Sequence, residues 1–190
     1  LEVLARLQQT ISALIILAVL GCASWAIFSG HTWPAIAGCA AVLAGHSVVL
    51  GIEFLLVKTL SRRTRQPVQP SWPELARAWW AEVLAAPRVF CWEQPFRSLR
   101  YADRLPEPND SRTGVVLIHG FFCNRGFWNG WLPKLENANR PVVAINLEPI
   151  FGSIDHYTAT IDSAVTQLEH CTGLPPIVVA HSMGGLALRA

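Results

Sequence analysis

Charge is what this sequence has least of. Charged residues fill 15% of 190 positions, against about 25% in an average soluble domain. They are also unevenly placed, because residues 1–60 hold only Glu2, Arg6, Glu53 and Lys58. With 52% hydrophobic residues, this excludes a disordered chain and a uniformly soluble one, and favours a membrane segment followed by a foldable domain. A formal net charge of +2 offers no broad basic face, so a dedicated nucleic-acid binder is excluded as well. The cysteines (Cys22, Cys39, Cys91, Cys123 and Cys171) are scattered and lack CxxC spacing. Neither a disulfide framework nor a zinc site follows from that pattern. Reduced thiols in a cytosol-facing protein are expected, with no metal and no other cofactor.

What is present begins with apolar runs. Residues 11–28 read ISALIILAVLGCASWAIF, long enough at helical rise for about 27 Å of a ~30 Å hydrocarbon core. A break at Ser29-Gly30-His31-Thr32-Trp33-Pro34 follows, flanked by Trp25 and Trp33 as interfacial aromatics often flank a span. A second span is predicted over residues 35–57. Its Ile, Val, Leu and Phe residues favour insertion by roughly 3–7 kcal/mol, against about 3 for a central acid, and Glu53, only four residues before the exit, costs less than that. Lys58 and Arg62-Arg63-Thr64-Arg65 come directly after it, and the turn between the spans carries no Lys or Arg. The positive-inside rule then places both ends of a helical hairpin in the cytoplasm. Ala37, Ala41 and Gly45 form a small-residue stripe suited to close helix packing. His46 and Glu53, seven residues apart, share one face. They read either as an ion site or as a histidine bonded to the first helix beside a snorkelling acid. Val19-Leu20-Gly21-Cys22 resembles a lipoprotein cleavage box, an alternative that would put the protein outside the cell.

Gln66-Pro67-Val68-Gln69-Pro70 is a stiff linker, and Ser71-Trp72-Pro73-Glu74 is a capping-box pattern. The helix it opens is predicted to reach Ala86 and stop at Pro87. Leu75, Trp79, Val83 and Ala86 line one face, with Trp72, Trp80 and Leu84 beside it. That face suits a membrane interface or packing on the domain that follows. Val89–Trp92 and Phe96–Tyr101 look extended, and a polar turn spans 106–112. The organisation expected is a membrane hairpin over 1–60, a basic linker and amphipathic helix over 61–88, and a domain over 89–190.

That domain is predicted to be α/β. Gly114–Gly120, Pro141–Leu147 and Ile177–Ala180 each hold an apolar core between turn signals, the pattern of strands buried on both faces. Residues 155–171 repeat Ile161, Ala164, Val165 and Leu168 at helical spacing, and Gly173 ends the helix. Alternation of this kind implies crossover helices and a mostly parallel sheet. The third strand runs into Ala180-His181-Ser182-Met183-Gly184-Gly185, a serine at a strand-to-helix corner with small residues two before and two after it. Such a tight turn excludes bulky neighbours and projects the hydroxyl clear of the sheet, as a nucleophile elbow does.

On these residues the sequence resembles the α/β-hydrolase family in its lipase- and esterase-like branch, over about 89–190, with Ala180 where the family pentapeptide has Gly. Leu117-Ile118-His119-Gly120-Phe121 resembles the family's oxyanion loop. The resemblance implies a partial α/β-hydrolase fold preceded by two transmembrane helices. It implies Ser182 as nucleophile, with the backbone amides of Phe121 and Met183 as oxyanion hole. His181 is expected to order the elbow, and His119 to pin the oxyanion loop. Asn124 and Arg125 either touch a substrate head group or fix the loop, whereas Phe127, Trp128 and Trp131 either line an acyl pocket or pack beneath it. Cys123 is no rival nucleophile, since nothing near it generates a thiolate.

A serine needs a general base, and the family order is Ser, then Asp or Glu, then His. No acid or histidine follows Ser182 in these residues, so a fragment of a longer hydrolase, inactive by itself, is expected. The function expected is a multi-pass inner-membrane serine hydrolase facing the cytoplasm and cleaving carboxylic esters, small or lipid. The alternatives are a thioesterase or acyltransferase on the same elbow, or a non-catalytic membrane-bound binding protein.

Overall fold

A computed structural model describes residues 3–63, 69–106 and 112–190. Arg65 of the expected basic cluster, the linker up to Val68 and the turn at 107–111 lie outside them. The chain forms two compact units: Thr10–Arg88, and Leu1–Gln9 together with Val89–Ala190.

The first of these units is helical. Helix α1 covers Val3–Ser29 and α2 covers Thr32–Arg63, about 40 and 48 Å long at helical rise. Gly30 turns between them at φ +68°, a conformation glycine adopts without steric cost. Both helices are apolar all round, with Leu14, Leu17, Leu20 and Ile27 of α1 and Ile36, Val48, Val49 and Ile52 of α2 exposed. A helix of that kind belongs in a core or in a bilayer. Little of either helix is buried: 11% of the most apolar window within Val3–Ser29 and 6% of Ala44–Ser61. Each is long and apolar enough to cross a membrane. The helices approach at Gly38, where an added Cβ would lie 3.6 Å from Cys22 Sγ. Ala37 and Ala41 are exposed, so the close face is turned by one residue from the small-residue stripe.

Helix α3, Trp72–Arg88, opens with the predicted capping box. Glu74 Oε2 accepts from Ser71 N and Ser71 Oγ, both at 2.7 Å, and these bonds hold the Glu74 carboxyl below its ordinary pKa. Its Leu75-Trp79-Val83-Ala86 face meets α2, because Trp79 Nε1 donates to Ser47 O at 2.9 Å and His46 Nε2 lies 3.1 Å from Val83 O. Trp72, Trp80 and Leu84 stay exposed. The second contact explains a correction. Pro87 has no N–H to offer Val83 O four residues back, but His46 takes that carbonyl, so the helix passes through Pro87. It then widens into a π-helical stretch over Val89–Glu93 and continues as α4, Gln94–Arg97. Val89–Trp92, Phe96 and Arg97 are therefore helical and 98–101 is turn and bend, where two extended segments were predicted.

In the second unit, β1 (Val115–Ile118), β2 (Val142–Ile145) and β3 (Ile177–Ala180) form a parallel sheet in the order β2-β1-β3. Side chains alternate between its faces. Val116, Ile118, Val143 and Ile145 pack with Tyr157, Ile161, Ala164 and Leu168, the last three from α6, Thr158–Thr172. Val115, Leu117, Val142 and Ala144 pack with Trp128 and Leu132, the latter on α5, Leu132–Asn137. Helices on both faces make the sheet doubly wound. Helix α6 ends at Gly173, φ 69°, as predicted. β1 and β2 are buried throughout, whereas β3 is half-buried with Ile177 exposed, so its apolar run belongs to an edge of the described sheet. The outer edge of β2 is covered by Asp103 and Arg104. Asp103 Oδ1 accepts from Ala144 N at 3.0 Å, and Arg104 pairs antiparallel with Val142.

Candidate active site

Chain order alone makes this site. After β1 the chain crosses to β2 on one side, and after β2 it returns to β3 on the other. The loops leaving the C-terminal ends of β1 and β3 therefore meet at the switch point, the place where open α/β sheets bind ligands. His181 N donates to Ile118 O at 2.9 Å, which carries the ladder one step past β3.

Ser182 follows at φ 52°, ψ −123°. A non-glycine residue there costs of order 1–3 kcal/mol and persists only where its surroundings enforce it. The enforcement is visible in two glycines. A Cβ at Gly184 would lie 2.5 Å from His119 O and 2.9 Å from Ile118 Cγ2, and one at Gly120 would lie 3.0 Å from Ser182 Cβ. Only glycine lets the start of α7, Met183–Ala187, sit against the end of β1. The side chain of Ser182 is exposed, and its hydroxyl makes no hydrogen bond among the described residues.

The amides expected to hold an oxyanion flank this serine. Among the described residues neither Phe121 N–H nor Met183 N–H donates a hydrogen bond, whereas Gly184 and Gly185 spend theirs on His181 O and Ser182 O. His119 aims the first of these amides. Leu147 N donates to His119 Nε2 at 3.1 Å, so Nε2 is the bare nitrogen and Nδ1 carries the proton. Nδ1 lies 2.9 Å from Gly120 O and donates to it. That carbonyl shares a peptide plane with Phe121 N–H, so holding the oxygen inward turns the amide outward. Burial pushes the His119 pKa down, with nearby His181 adding to the effect against the Gly120 bond. The ring stays neutral and its tautomer fixed.

The other expected residues are placed as follows. His181 turns from Ser182 and stacks on Phe127, 4.6 Å between ring centroids. The Asn124 amide is taken up by Gly126 N at 2.9 Å and Gln94 O at 3.0 Å. Arg125 forms an ion pair with Asp103 at 2.7 Å and donates to Tyr101 O at 2.9 Å. Trp128 is buried against Val115 and Leu117. The structure thus uses Asn124, Arg125 and Trp128 to build the loop after β1. Burial raises the Cys123 thiol to about 11, which leaves it an inert thiol. Glu93 and Gln94 were missed in the sequence. Asn129 Nδ2 donates to Glu93 Oε2 at 2.9 Å, and Asn124 N to Gln94 Oε1 at 2.8 Å, so this helical stretch grips the same loop. The adjacent Glu-Gln pair within an apolar segment was the available signal. Exposed Phe121 and Phe151, ring centroids 5.9 Å apart, stand on the loops that follow β1 and β2. Among the described residues no group of three His, Cys, Asp or Glu side chains is placed to hold a metal ion.

Residues 115–190 match the model of the alpha/beta hydrolase family, and the three-stranded parallel sheet with its helices is part of that fold. The match supports an alpha/beta hydrolase assignment for this segment, a family whose general activity is hydrolysis. No curated protein and no solved structure matches the chain.

Two outcomes follow from the backbone and from His119. Ser182→Gly is expected to raise unfolding stability by about 1–2 kcal/mol by relieving the positive φ, and Ser182→Ala to leave it unchanged, as read by denaturant titration in detergent. Native His119 binds its proton less readily than the unfolded chain does. Its stabilisation is thus complete above the ordinary histidine pKa of about 6.5 and is lost as pH falls through the lowered value. Melting midpoints between pH 8 and 5 are expected to fall on the acid side of that range, and to fall less in His119→Gln.

Proposed function

We propose that this protein is a membrane-anchored serine hydrolase that cleaves carboxylic esters, with lipid or other acyl esters as its substrate class. The observation that carries the reading is the strained, exposed Ser182 beside two uncommitted amides. In the proposed cycle Ser182 Oγ attacks the ester carbonyl and its proton passes to a general base. The carbonyl oxygen becomes an oxyanion held by the Phe121 and Met183 amides, and collapse expels the alcohol to leave an acyl-enzyme that water cleaves. Among the described residues none contacts Ser182 as that base, since His119 is locked and His181 faces Phe127. The exposed Phe121 and Phe151 rings support an apolar acyl group as the bound part.

Anchoring is supported by α1 and α2 and by the absence of any Asp, Glu, Lys or Arg from Leu7 through Ile52. A hairpin carrying this run matches a ~30 Å hydrocarbon core on each leg. Glu53 and Lys58 then lie towards the cytoplasmic end of its second leg.

A fluorophosphonate probe applied to the whole protein in its native membrane is expected to label Ser182, and Ser182→Ala to abolish labelling. An unlabelled wild type would favour the non-catalytic binding protein, and faster turnover of acyl thioesters than of esters would favour the thioesterase. A reporter fused after Arg65 is expected to behave as cytoplasmic. A periplasmic signal there would overturn the orientation.

A further inference from the structure

The first turns of α1 are not free chain. Leu4, Ala5 and Gln8 are each nearly inaccessible, and Gln8 is 3% exposed, although an amide gains nothing from burial unless it is bonded. Its Nε2 donates to Phe122 O at 3.2 Å and lies 3.4 Å from Gln94 Oε1. Gln94 Oε1 in turn accepts from Asn124 N at 2.8 Å. Phe122 sits at φ 56°, a conformation an aromatic residue holds only under constraint. It directly follows the residue whose amide is the first oxyanion donor. The turn Gly120–Cys123 is therefore held at both ends, by His119 on Gly120 O and by Gln8 on Phe122 O.

We infer that Gln8 is a positioning residue for the oxyanion loop: the leading end of the first apolar helix sets where the Phe121 amide points. The inference rests on the hydrolase reading for its catalytic consequence, but its structural half stands without that reading. Without the Gln8 donor, the part-buried Phe122 O loses its side-chain partner. Phe122 is then free to relax towards negative φ, and the peptides before it turn with it. A displacement of about 1 Å at such a donor costs on the order of 10²-fold in rate. Substrate contacts made elsewhere are untouched, so the loss falls on kcat rather than KM.

Gln9 supplies the control. Its Nε2 donates to Pro95 O at 2.6 Å, in α4 and away from the oxyanion loop, so Gln9→Leu removes an equivalent amide anchor without touching Phe122. The test compares Gln8→Leu, Gln8→Glu and Gln9→Leu in the whole protein, in detergent and above pH 7. Its readouts are kcat and KM for a short p-nitrophenyl ester, the melting midpoint, and amide hydrogen exchange of the peptide containing residues 120–124. The expected result is a roughly ten- to hundredfold loss of kcat at near-constant KM in both Gln8 variants. Glutamate fails with leucine because a carboxylate has no hydrogen to donate. Exchange in the loop peptide rises in the Gln8 variants, whereas Gln9→Leu keeps wild-type kcat and loop exchange. Unchanged loop exchange in Gln8→Leu, or equal loss of kcat in Gln9→Leu, would overturn the inference. A wild type that turns over no ester refutes the hydrolase reading instead, and loop exchange alone then decides whether Gln8 holds the turn.

Discussion

The contact on which the rest depends is backbone against backbone: the first turn of α7 lying on the last residue of β1. Gly184 stands where any side chain would press within 2.5 Å of His119 O. That approach fixes α7 so close to the sheet that the chain can enter it only through a left-handed residue, and Ser182 is that residue. Strain at Ser182 is thus the cost of the packing. What it gains is a hydroxyl standing free at the C-terminal edge of the sheet, beside the N–H of the residue that follows. Gly120 completes the fit from the other loop, since it alone lets the oxyanion segment approach Ser182 Cβ.

A site of this kind is only as good as the turn opposite the serine, and much of the buried polar chemistry in this unit is spent there. His119 and Gln8 donate into the stretch from Gly120 to Gly130, while Asn124, Arg125 and Asn129 within it donate outward to Gln94, Asn146 and Arg97. Gln8 Oε1, Gln94 Nε2 and Asn129 Oδ1 find no partner among the described residues. A partly satisfied buried network costs stability, so these polar groups around one short loop argue for geometry rather than for stability. The exposed ring of Phe121 shows the other side of the same arrangement, with its backbone held and its side chain left uncovered.

How much was legible in the sequence follows from which signals were local. The strands showed because their apolar runs match a sheet covered on both faces, and the elbow showed because small residues around a serine report a steric requirement directly. Ser71 and Glu74 showed for the same reason, as a cap is a contact between near neighbours. Val89–Trp92 and Phe96–Tyr101 were misread as extended, since aromatic and branched residues favour strands, while what lets the helix run on into the first of them is distant. His46, in another helix, satisfies the carbonyl that Pro87 leaves open. Asn124 and Arg125 were ambiguous because the partners that claim them, Gln94 and Asp103, lie far away in sequence. Gln8 was hidden for a related reason: one amide at the head of an apolar helix reads as the margin of a membrane span.

The central claim is that Ser182 and the amides of Phe121 and Met183 form one preorganised cradle for a tetrahedral oxyanion. The most direct measurement is an experimental structure of the whole protein after reaction with a phosphonate ester, which leaves a tetrahedral adduct. The account requires phosphorus on Ser182 Oγ, with one phosphonyl oxygen about 2.7–3.1 Å from both amide nitrogens and Ser182 still at positive φ. An adduct on another residue, or a phosphonyl oxygen directed to solvent with either amide turned away, would contradict it.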